Sequence, residues 1–259
     1  MAISHIMNKK NLTGFNISIG AYSDFVLEIL SYAKERRSSY ACVANVHMFI
    51  EAYKNETFNS IINEADIITP DGVPLCWWLR LKYGIKQQRV AGMDLLPDLL
   101  KEMEKKELNV YFYGGSPALI RQTGVHLKQQ YPLLPVVGLK SPPFRELTKE
   151  EEELTINEIN SSEAQLVFVV LGCPRQEKWM ASMKGRINAV MIGVGGALPV
   201  LIGMQKRAPQ WMQRSGLEWF YRLAQEPVRL FKRYAITNTL FLFLLSKDFI
   251  RSLFFKKAY

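Results

Sequence analysis

The sequence predicts an α/β fold, with a mostly parallel sheet covered by helices on both faces and a helical C-terminal appendage. Three observations support this prediction. Near-continuous apolar, β-rich runs recur along the chain, stretches with helical spacing lie between most of them, and the residues after about 203 are basic and aromatic instead. Strands of a buried parallel sheet have this continuous apolar character. With 259 residues, 48% of them hydrophobic, the chain can bury a substantial core.

The individual elements follow from these patterns in chain order. Strands are predicted at residues 16–19, 41–46, 66–69, 109–113, 136–139, 165–171 and 189–194. Helices are predicted at residues 23–34, 48–64, 95–106, 117–130 and 149–159, and two more at about 208–223 and 227–247. Ligands of such sheets bind beyond the carboxyl ends of the strands, so polar groups that directly follow a strand are the candidate site residues.

Three regions are expected along the chain. Residues 1–11 are interpreted as a tag remnant and N-terminal tail, because residues 1–7 resemble an expression scar and lack the apolar core of a signal peptide. Residues 12–203 are expected to form the α/β core, and residues 204–259 the basic helical appendage. No internal repeat or low-complexity linker is recognised.

The appendage carries most of the positive charge. From residue 204 onward eleven Lys and Arg residues face three acidic ones, which leaves +8 of the net charge of +9. Such asymmetry implies an anionic partner: nucleic acid, a lipid surface or a phosphorylated ligand. The apolar run 240–245 is too short for a bilayer span of about 20 residues, so we expect the appendage to lie on a membrane surface. The alternative is a core-packing helix pair with solvated arginines.

No cofactor or metal is expected. Cys42, Cys76 and Cys173 form no C-x-x-C pair, which argues against a disulfide framework or zinc site and favours a reducing cytoplasm. A dinucleotide fingerprint fails at Leu198, and neither a Walker A motif nor an Asp-x-Asp pair is present. A bound diphosphate would therefore be neutralised by the protein's own cations and helix ends.

Asp71 is the first candidate at a strand end. It lies in the turn Pro70-Asp71-Gly72, directly after the predicted strand 66–69. One interpretation is a solvated turn-former, since Asp hydrogen-bonds its own backbone in such turns. The other is a carboxylate placed for chemistry. Arg89 raises the same two possibilities, a solvated loop charge or an anion clamp, and Asp94 is predicted to cap the helix that follows.

Three further segments follow strands. Gly114 and Gly115 precede a predicted helix start, where backbone amides could hold a phosphate or simply form a tight turn. The block from Gly172 to Glu177 contains Arg175 and Gln176, which suit recognition of phosphate, ribose or base. A third block contains Gly195 and Gly196, with Arg207 downstream.

Taken in order, these blocks resemble the WecG/TagA/CpsF glycosyltransferases over about residues 12–235. The resemblance rests on Asn45, Pro70-Asp71-Gly72, Arg89-Val90-Ala91-Gly92-Met93-Asp94, Gly172-Cys173-Pro174-Arg175-Gln176-Glu177, Arg207-Ala208-Pro209 and Leu217-Glu218-Trp219-Phe220-Tyr221-Arg222-Leu223. It implies a Rossmann-like core and an appendage that closes the active site and contacts membrane. It also implies inverting transfer from a UDP-sugar to a polyprenyl-diphosphate-linked acceptor, at the cytoplasmic face of the bacterial plasma membrane. Teichoic acid, enterobacterial common antigen, capsule and exopolysaccharide are the products of such transferases.

The resemblance also implies residue roles. Asp71 is expected to be the general base, with Arg89 and Gln176 in the active site and Arg222 and Arg229 at the acceptor diphosphate. The remaining expected substrate-binding residues are Asn45, Gly72, Gly114, Gly115, Arg175, Glu177, Gly195, Gly196 and Arg207.

The chain departs from the family pattern at two places. Many members have Thr where this chain has Val43, and Phe-Asp where it has Leu198-Pro199, so donor recognition is expected to differ there. Two other functions remain open at this point, a non-catalytic UDP-sugar-binding protein and a basic nucleic-acid binder, although no nucleic-acid partner is expected. Homo-oligomerisation is also left open.

Overall fold

The computed structural model describes residues 7–255, with side-chain surroundings described for residues 7–251. Residues 1–6 of the expected tag remnant lie outside the described residues, as do Lys256 and Lys257 of the appendage.

Eight strands are described. They are β1 (Lys9–Leu12), β2 (Phe15–Ser18), β3 (Ser39–Ala44), β4 (Ile67–Pro70), β5 (Val110–Gly114), β6 (Val136–Lys140), β7 (Leu166–Val170) and β8 (Val190–Gly193). Six of them form one sheet in the order β4-β3-β8-β7-β5-β6, and each neighbouring pair in it is parallel. The predicted parallel sheet is therefore confirmed.

Helices connect the strands and continue beyond them. They are α1 (Tyr22–Lys34), α2 (Val46–Lys54), α3 (Glu56–Asn63), α4 (Val73–Tyr83), α5 (Gly92–Lys105), α6 (Pro117–Gln130), α7 (Lys149–Ser161), α8 (Arg175–Met183), α9 (Ala197–Leu201), α10 (Gln210–Arg214), α11 (Glu218–Gln225) and α12 (Pro227–Phe255). The last three make up the helical C-terminal appendage that the sequence predicted.

The core consists of two apolar layers, one on each face of the sheet. Successive side chains of a strand point to opposite faces. Cys42 of β3 and Val169 of β7 belong to the layer under α2, α3, α4, α7, α8 and α12. Their neighbours Ala41 and Phe168 belong to the layer under α1, α5, α6 and α9. Helices therefore cover both faces, as predicted.

The first predicted strand, at residues 16–19, does not join the parallel sheet. As β2 it pairs antiparallel with β1, with Leu12 opposite Phe15. The two residues between them, Thr13 and Gly14, have φ angles of 53° and 88°. Positive φ at both central residues is what a two-residue hairpin turn needs, since its twist then matches that of the strands. An apolar pattern shows that a segment is a strand but not which strand it pairs with.

Two predicted helices are divided, and one helix was not predicted. The helix expected at about 208–223 consists of α10 and α11, which are separated by a turn that contains Gly216 at φ 71°. The helix expected at 48–64 is divided at Asn55, whose backbone is extended at φ −137°. The side-chain oxygen of Asn55 accepts from the amide of Phe58 and so caps the start of α3. The helix α4 was not predicted, although Pro74 lies in its first turn and Gly84 ends it in the left-handed conformation. Both are common boundary signals of a helix.

The long helix α12 packs against the core. Phe241 is 3% exposed, and its ring lies 5.8 Å from that of Phe49 on α2 and 5.4 Å from that of Trp78 on α4. Asp248 accepts a hydrogen bond from the Trp78 indole at 2.7 Å and one from Lys82 at 3.3 Å. The end of the appendage is thus held against one face of the α/β core.

Candidate active site

The carboxyl ends of β3 and β4 bring three of the expected site residues together. The amides of Asp71 and Gly72 both donate to the carbonyl oxygen of Ala44, at 2.8 and 3.3 Å. Asn45 follows Ala44 directly and caps α2, where its side-chain oxygen accepts from the amide of Met48 at 3.1 Å. A Cβ on Gly72 would lie 3.5 Å from the Cα of Asn45. This is an ordinary van der Waals distance, so Gly72 packs closely against Asn45 without its space excluding a side chain.

Arg89 connects the Asp71 turn to the appendage. Its Nε donates to the Asp71 carbonyl oxygen at 2.5 Å, and its Nη2 lies 3.2 Å from Asp71 Oδ1 and 2.7 Å from Glu218 Oε2. The side chains of Asp71, Arg89 and Glu218 are 21%, 22% and 12% exposed. One guanidinium thus lies between two mostly covered carboxylates from distant parts of the chain.

The electrostatic surroundings of Asp71 suit a group that accepts a proton. Burial raises the pKa of the Asp71 carboxyl above its ordinary value, and the nearby charge of Glu218 acts in the same direction, whereas Arg89 and Arg222 oppose the rise. The Cys76 thiol on α4 also faces this group, and its pKa is raised to about 12 by burial and by the Asp71 charge. Cys76 therefore stays a neutral thiol, while Asp71 is a stronger base than an ordinary aspartate.

Arg222 lies against the backbone that follows β8. A Cβ built on Gly196 would lie 2.6 Å from Arg222 Nη2. Glu218 and Arg222 are four residues apart on α11, so they project from the same side of that helix. The helix α11 therefore covers the carboxyl ends of β4 and β8, with one acidic and one basic side chain directed at the core.

Gln176, in the first turn of α8, packs beside the carboxyl end of β8. It is 5% exposed, its Oε1 accepts from the amide of Gly172 at 3.2 Å, and its Nε2 donates to Glu177 Oε1 at 2.7 Å. A Cβ would lie 2.7 Å from its Nε2 if built on Gly193, and 3.1 Å from its Oε1 if built on Gly195. These two glycines leave the space that the Gln176 side chain occupies.

Glu177 lies beneath the site rather than at its surface. Its side chain is fully buried, and burial raises its pKa to about 7, against the effect of the hydrogen bond from Gln176. Its Oε1 accepts the hydrogen bond from Gln176 Nε2 and so orients the Gln176 amide.

Gly114 and Gly115 have structural reasons to be glycine. Gly114 has φ 116°, and a Cβ there would lie 2.6 Å from the backbone of Val170 in β7. Gly115 has φ 77°, and its carbonyl oxygen accepts from the Ser141 hydroxyl at 2.6 Å. The chain needs glycine at both positions whether or not a phosphate binds there. Arg175, at the start of α8, is exposed to solvent.

Arg207 and Arg229 take part in ion pairs within the protein. Arg207 Nη2 lies 2.6 Å from Asp94 Oδ1, and Arg229 pairs with Glu226. The prediction that Asp94 caps α5 is wrong: the capping position is Ala91, because the helix starts at Gly92 and Asp94 falls within its first turn. Asp94 serves instead to tie the start of the appendage to α5.

Sequence reasoning did not single out Glu218 as a site residue. It was counted only among the acidic residues of the basic appendage and within the Leu217-to-Leu223 block. The only signal in the sequence was an acidic residue within a basic segment, and the structure shows that this residue is 9% exposed. Its partner Arg89, however, is 129 residues away in sequence, so the pattern could not show the contact.

The described residues contain neither a cluster of metal ligands nor a helix suited to span a membrane. Between residues 7 and 255 there is no group of three or more His, Cys, Asp and Glu side chains placed to hold a metal ion. In the same stretch no helix combines the length and the apolar character needed to cross a bilayer.

Comparisons with known proteins agree on one family. Residues 10–254 match the family described as "Glycosyl transferase WecG/TagA/CpsF family". A Bacillus spizizenii protein named N-acetylglucosaminyldiphosphoundecaprenol N-acetyl-beta-D-mannosaminyltransferase is 32% identical over 200 residues, which cover 77% of this chain and 76% of that protein. A Bacillus subtilis strain 168 protein of the same name is 29% identical over 220 residues, covering 85% of this chain and 83% of that one.

Proposed function

The chain belongs to the WecG/TagA/CpsF family of glycosyltransferases, and from that premise we propose that it transfers a sugar from a UDP-sugar to a polyprenyl-diphosphate-linked sugar. The two relatives are named for transfer of N-acetyl-β-D-mannosamine to N-acetylglucosaminyl-diphosphoundecaprenol. UDP-N-acetylmannosamine is therefore the first donor to test, followed by UDP-linked N-acetylmannosaminuronic acid, glucose and glucuronic acid. The product would serve teichoic acid or another cell-surface polysaccharide.

The observation that supports this proposal best is the placement of Asp71 beside Arg89, whose guanidinium connects it to Glu218 of the appendage. In the proposed reaction Asp71 accepts the proton of an acceptor hydroxyl as that oxygen attacks the anomeric carbon of the donor sugar. The bond between that carbon and the UDP oxygen breaks on the opposite side, so the configuration inverts. A raised pKa favours this role, because a general base is most effective when its pKa approaches the working pH.

The cations around Asp71 support a diphosphate substrate. Arg89 and Arg222 both act on the charge of Asp71, and Arg207 lies at the neighbouring start of α5. Charged donors placed in advance stabilise the negative charge that develops on a departing UDP or rests on an acceptor diphosphate. We propose that these arginines do so without a metal, with Arg229 at the acceptor end. Gln176 would contact the donor between the ends of β7 and β8.

The outer surface of α12 supports a membrane-associated acceptor. Phe231, Leu242, Phe243 and Ile250 are exposed there, and Lys232 is exposed among them. An amphipathic helix with apolar and basic side chains binds the interface of an anionic bilayer. We propose that the protein associates peripherally with the cytoplasmic face of the plasma membrane, where it would meet the lipid-linked acceptor.

The test is a donor screen followed by one substitution. UDP-sugars are incubated with the full chain and a short-chain polyprenyl-diphosphate-N-acetylglucosamine, and products are identified by mass spectrometry. With the active donor, Asp71→Asn keeps the size of the side chain but removes the base. Turnover should fall by about 10² to 10⁴-fold, the usual contribution of general-base help.

The matched control is Glu163→Gln, which neutralises a side chain that is 74% exposed and lies just before the amino-terminal end of β7, away from the carboxyl ends of the strands. It should retain wild-type turnover. Near-wild-type turnover in Asp71→Asn would contradict the role of Asp71. Binding of UDP-sugars by wild type without any turnover would instead favour a non-catalytic sugar-nucleotide binder.

A further inference from the structure

Glu218 is a covered acidic side chain in a strongly basic segment. Its side chain is 12% exposed and its Oε2 lies 2.7 Å from Arg89 Nη2. The same nitrogen lies 3.2 Å from Asp71 Oδ1. Arg89 Nη2 therefore contacts both the proposed base, Asp71, and Glu218 of the appendage.

This arrangement differs from a surface ion pair. An exposed pair contributes little, because solvent screens it and both side chains lose freedom. Here all three side chains are mostly covered, and two carboxylates of like charge share one guanidinium. Keeping the second carboxylate at this position costs electrostatic energy at Asp71, which suggests that it serves the reaction rather than stability.

The backbone contact of Arg89 shows what Glu218 adds. Arg89 Nε donates to the Asp71 carbonyl oxygen at 2.5 Å, which fixes one side of the guanidinium plane to the turn itself. The carboxylates of Asp71 and Glu218 compete for hydrogen bonds from the Nη2 group. A shorter contact to Glu218 draws this nitrogen outward and prevents a tight, base-neutralising pair between Arg89 and Asp71.

We propose that Glu218 is a positioning residue: through Arg89 it makes docking of α11 a condition for the active arrangement of the base Asp71. This inference rests on the proposed function. Glu218 need not touch a substrate. When α11 is docked, Glu218 hydrogen-bonds to Nη2 of Arg89, and Arg222 covers Gly196. The same helix therefore places both Glu218 and Arg222 at the strand ends. When α11 is displaced, Arg89 is free to close onto Asp71 and weaken it as a base.

The charge effect has a definite sign. The groups that face Asp71 are Arg89 from the segment before α5, Glu218 and Arg222 from α11, and Cys76 from α4. Burial raises the pKa of Asp71, and the charge of Glu218 raises it further, whereas Arg89 and Arg222 lower it. Neutralising Glu218 therefore lowers the pKa of Asp71, and the acid limb of the rate profile moves to lower pH.

The experiment compares the pH dependence of turnover in the full-length wild type, Glu218→Gln and Glu218→Asp. It uses the donor identified in the screen and short-chain polyprenyl-diphosphate-N-acetylglucosamine. Glu218→Gln keeps the length and a hydrogen-bond acceptor but loses the charge. We expect kcat to fall about tenfold, with little change in the KM for the donor and with the acid limb at lower pH. Glu218→Asp keeps the charge but retracts it, so kcat should fall while the limb stays closer to that of wild type.

A second measurement keeps this inference separate from the proposed function. A ¹³C NMR titration of the Asp71 carboxyl, assigned by its loss in Asp71→Asn, follows the same pKa without any turnover. The pKa should be lower in Glu218→Gln than in wild type, and unchanged in the control Glu163→Gln. An active wild type whose kcat and acid limb are preserved in Glu218→Gln overturns the positioning role and leaves the proposed function intact. An unchanged titration in Glu218→Gln overturns it even if no donor is found.

Discussion

Replacing Glu177 by Gln tests the electrostatics beneath the candidate active site. Glu177 is fully buried and its Oε1 accepts a hydrogen bond from Gln176 Nε2 at 2.7 Å. Glutamine at this position keeps the volume and an oxygen acceptor but cannot ionise. The variant therefore removes the cost of a buried charge with little change in packing.

The magnitude follows from the pKa of Glu177, which burial raises from 4.5 to about 7. Below pH 4.5 the group is protonated in both the folded and the unfolded protein. As the pH rises toward 7, the unfolded chain releases this proton while the folded protein retains it, so the free energy of unfolding falls. At about 1.4 kcal/mol per pKa unit, the loss between pH 5 and pH 8 is roughly 2 to 3 kcal/mol.

The assay is urea denaturation of wild type, Glu177→Gln and the exposed control Glu163→Gln at pH 5 and pH 8. Other titrating groups are common to all three proteins, so their effects cancel in the differences. The free energy of unfolding of Glu177→Gln minus that of wild type should be roughly 2 to 3 kcal/mol larger at pH 8 than at pH 5. The same difference for Glu163→Gln should not change measurably between the two pH values. A difference between Glu177→Gln and wild type that is the same at both pH values would refute the reasoning, because the carboxyl would then not hold its proton in the folded protein.

Two further substitutions test the contacts of the appendage. Gly196→Ala places a Cβ 2.6 Å from Arg222 Nη2, so the guanidinium must move; turnover should fall, while the melting temperature stays near that of wild type because the clash involves the end of a flexible side chain. Unchanged kinetics would show that the position of Arg222 does not matter. Phe241→Ala removes a buried ring from its contacts with Phe49 and Trp78 and should lower the free energy of unfolding by about 3 to 5 kcal/mol in urea denaturation. A loss below about 1 kcal/mol would mean that α12 does not belong to the cooperative core.

Much of the fold could be predicted because its signals are local. Continuous apolar runs identified the six strands of the sheet, and polar residues after those strands identified most of the candidate site. The predictions that failed required partner information. The strand at 16–19 was recognised, but its pairing with β1 depends on a two-residue turn at Thr13 and Gly14. The helix α4 was missed because its apolar residues do not form a clear stripe on one side.

The candidate site divides in the same way. Asp71, Arg89 and Gln176 were identified from their blocks and from the family resemblance. The fold places Asp71 and Arg89 at the carboxyl end of β4, and Gln176 beside the carboxyl ends of β7 and β8. Glu177 was expected to bind substrate, yet its side chain is fully covered and supports Gln176 instead. Burial of a side chain depends on what packs over it, which no motif states.

The sequence by itself determined the fold class, the family, and the position of an acidic turn after a strand, because each depends on residues close together in the chain. Only the tertiary structure decided that Arg89 is shared between Asp71 and Glu218, and that Arg222 lies over Gly196. Arg89 lies 18 positions from Asp71 and 129 from Glu218, and the contacts made by Glu218 and Arg222 form only when α11 docks on the strand ends. The proposed base Asp71 is therefore recognisable from its local sequence, but the charged side chains that surround it come together only on folding.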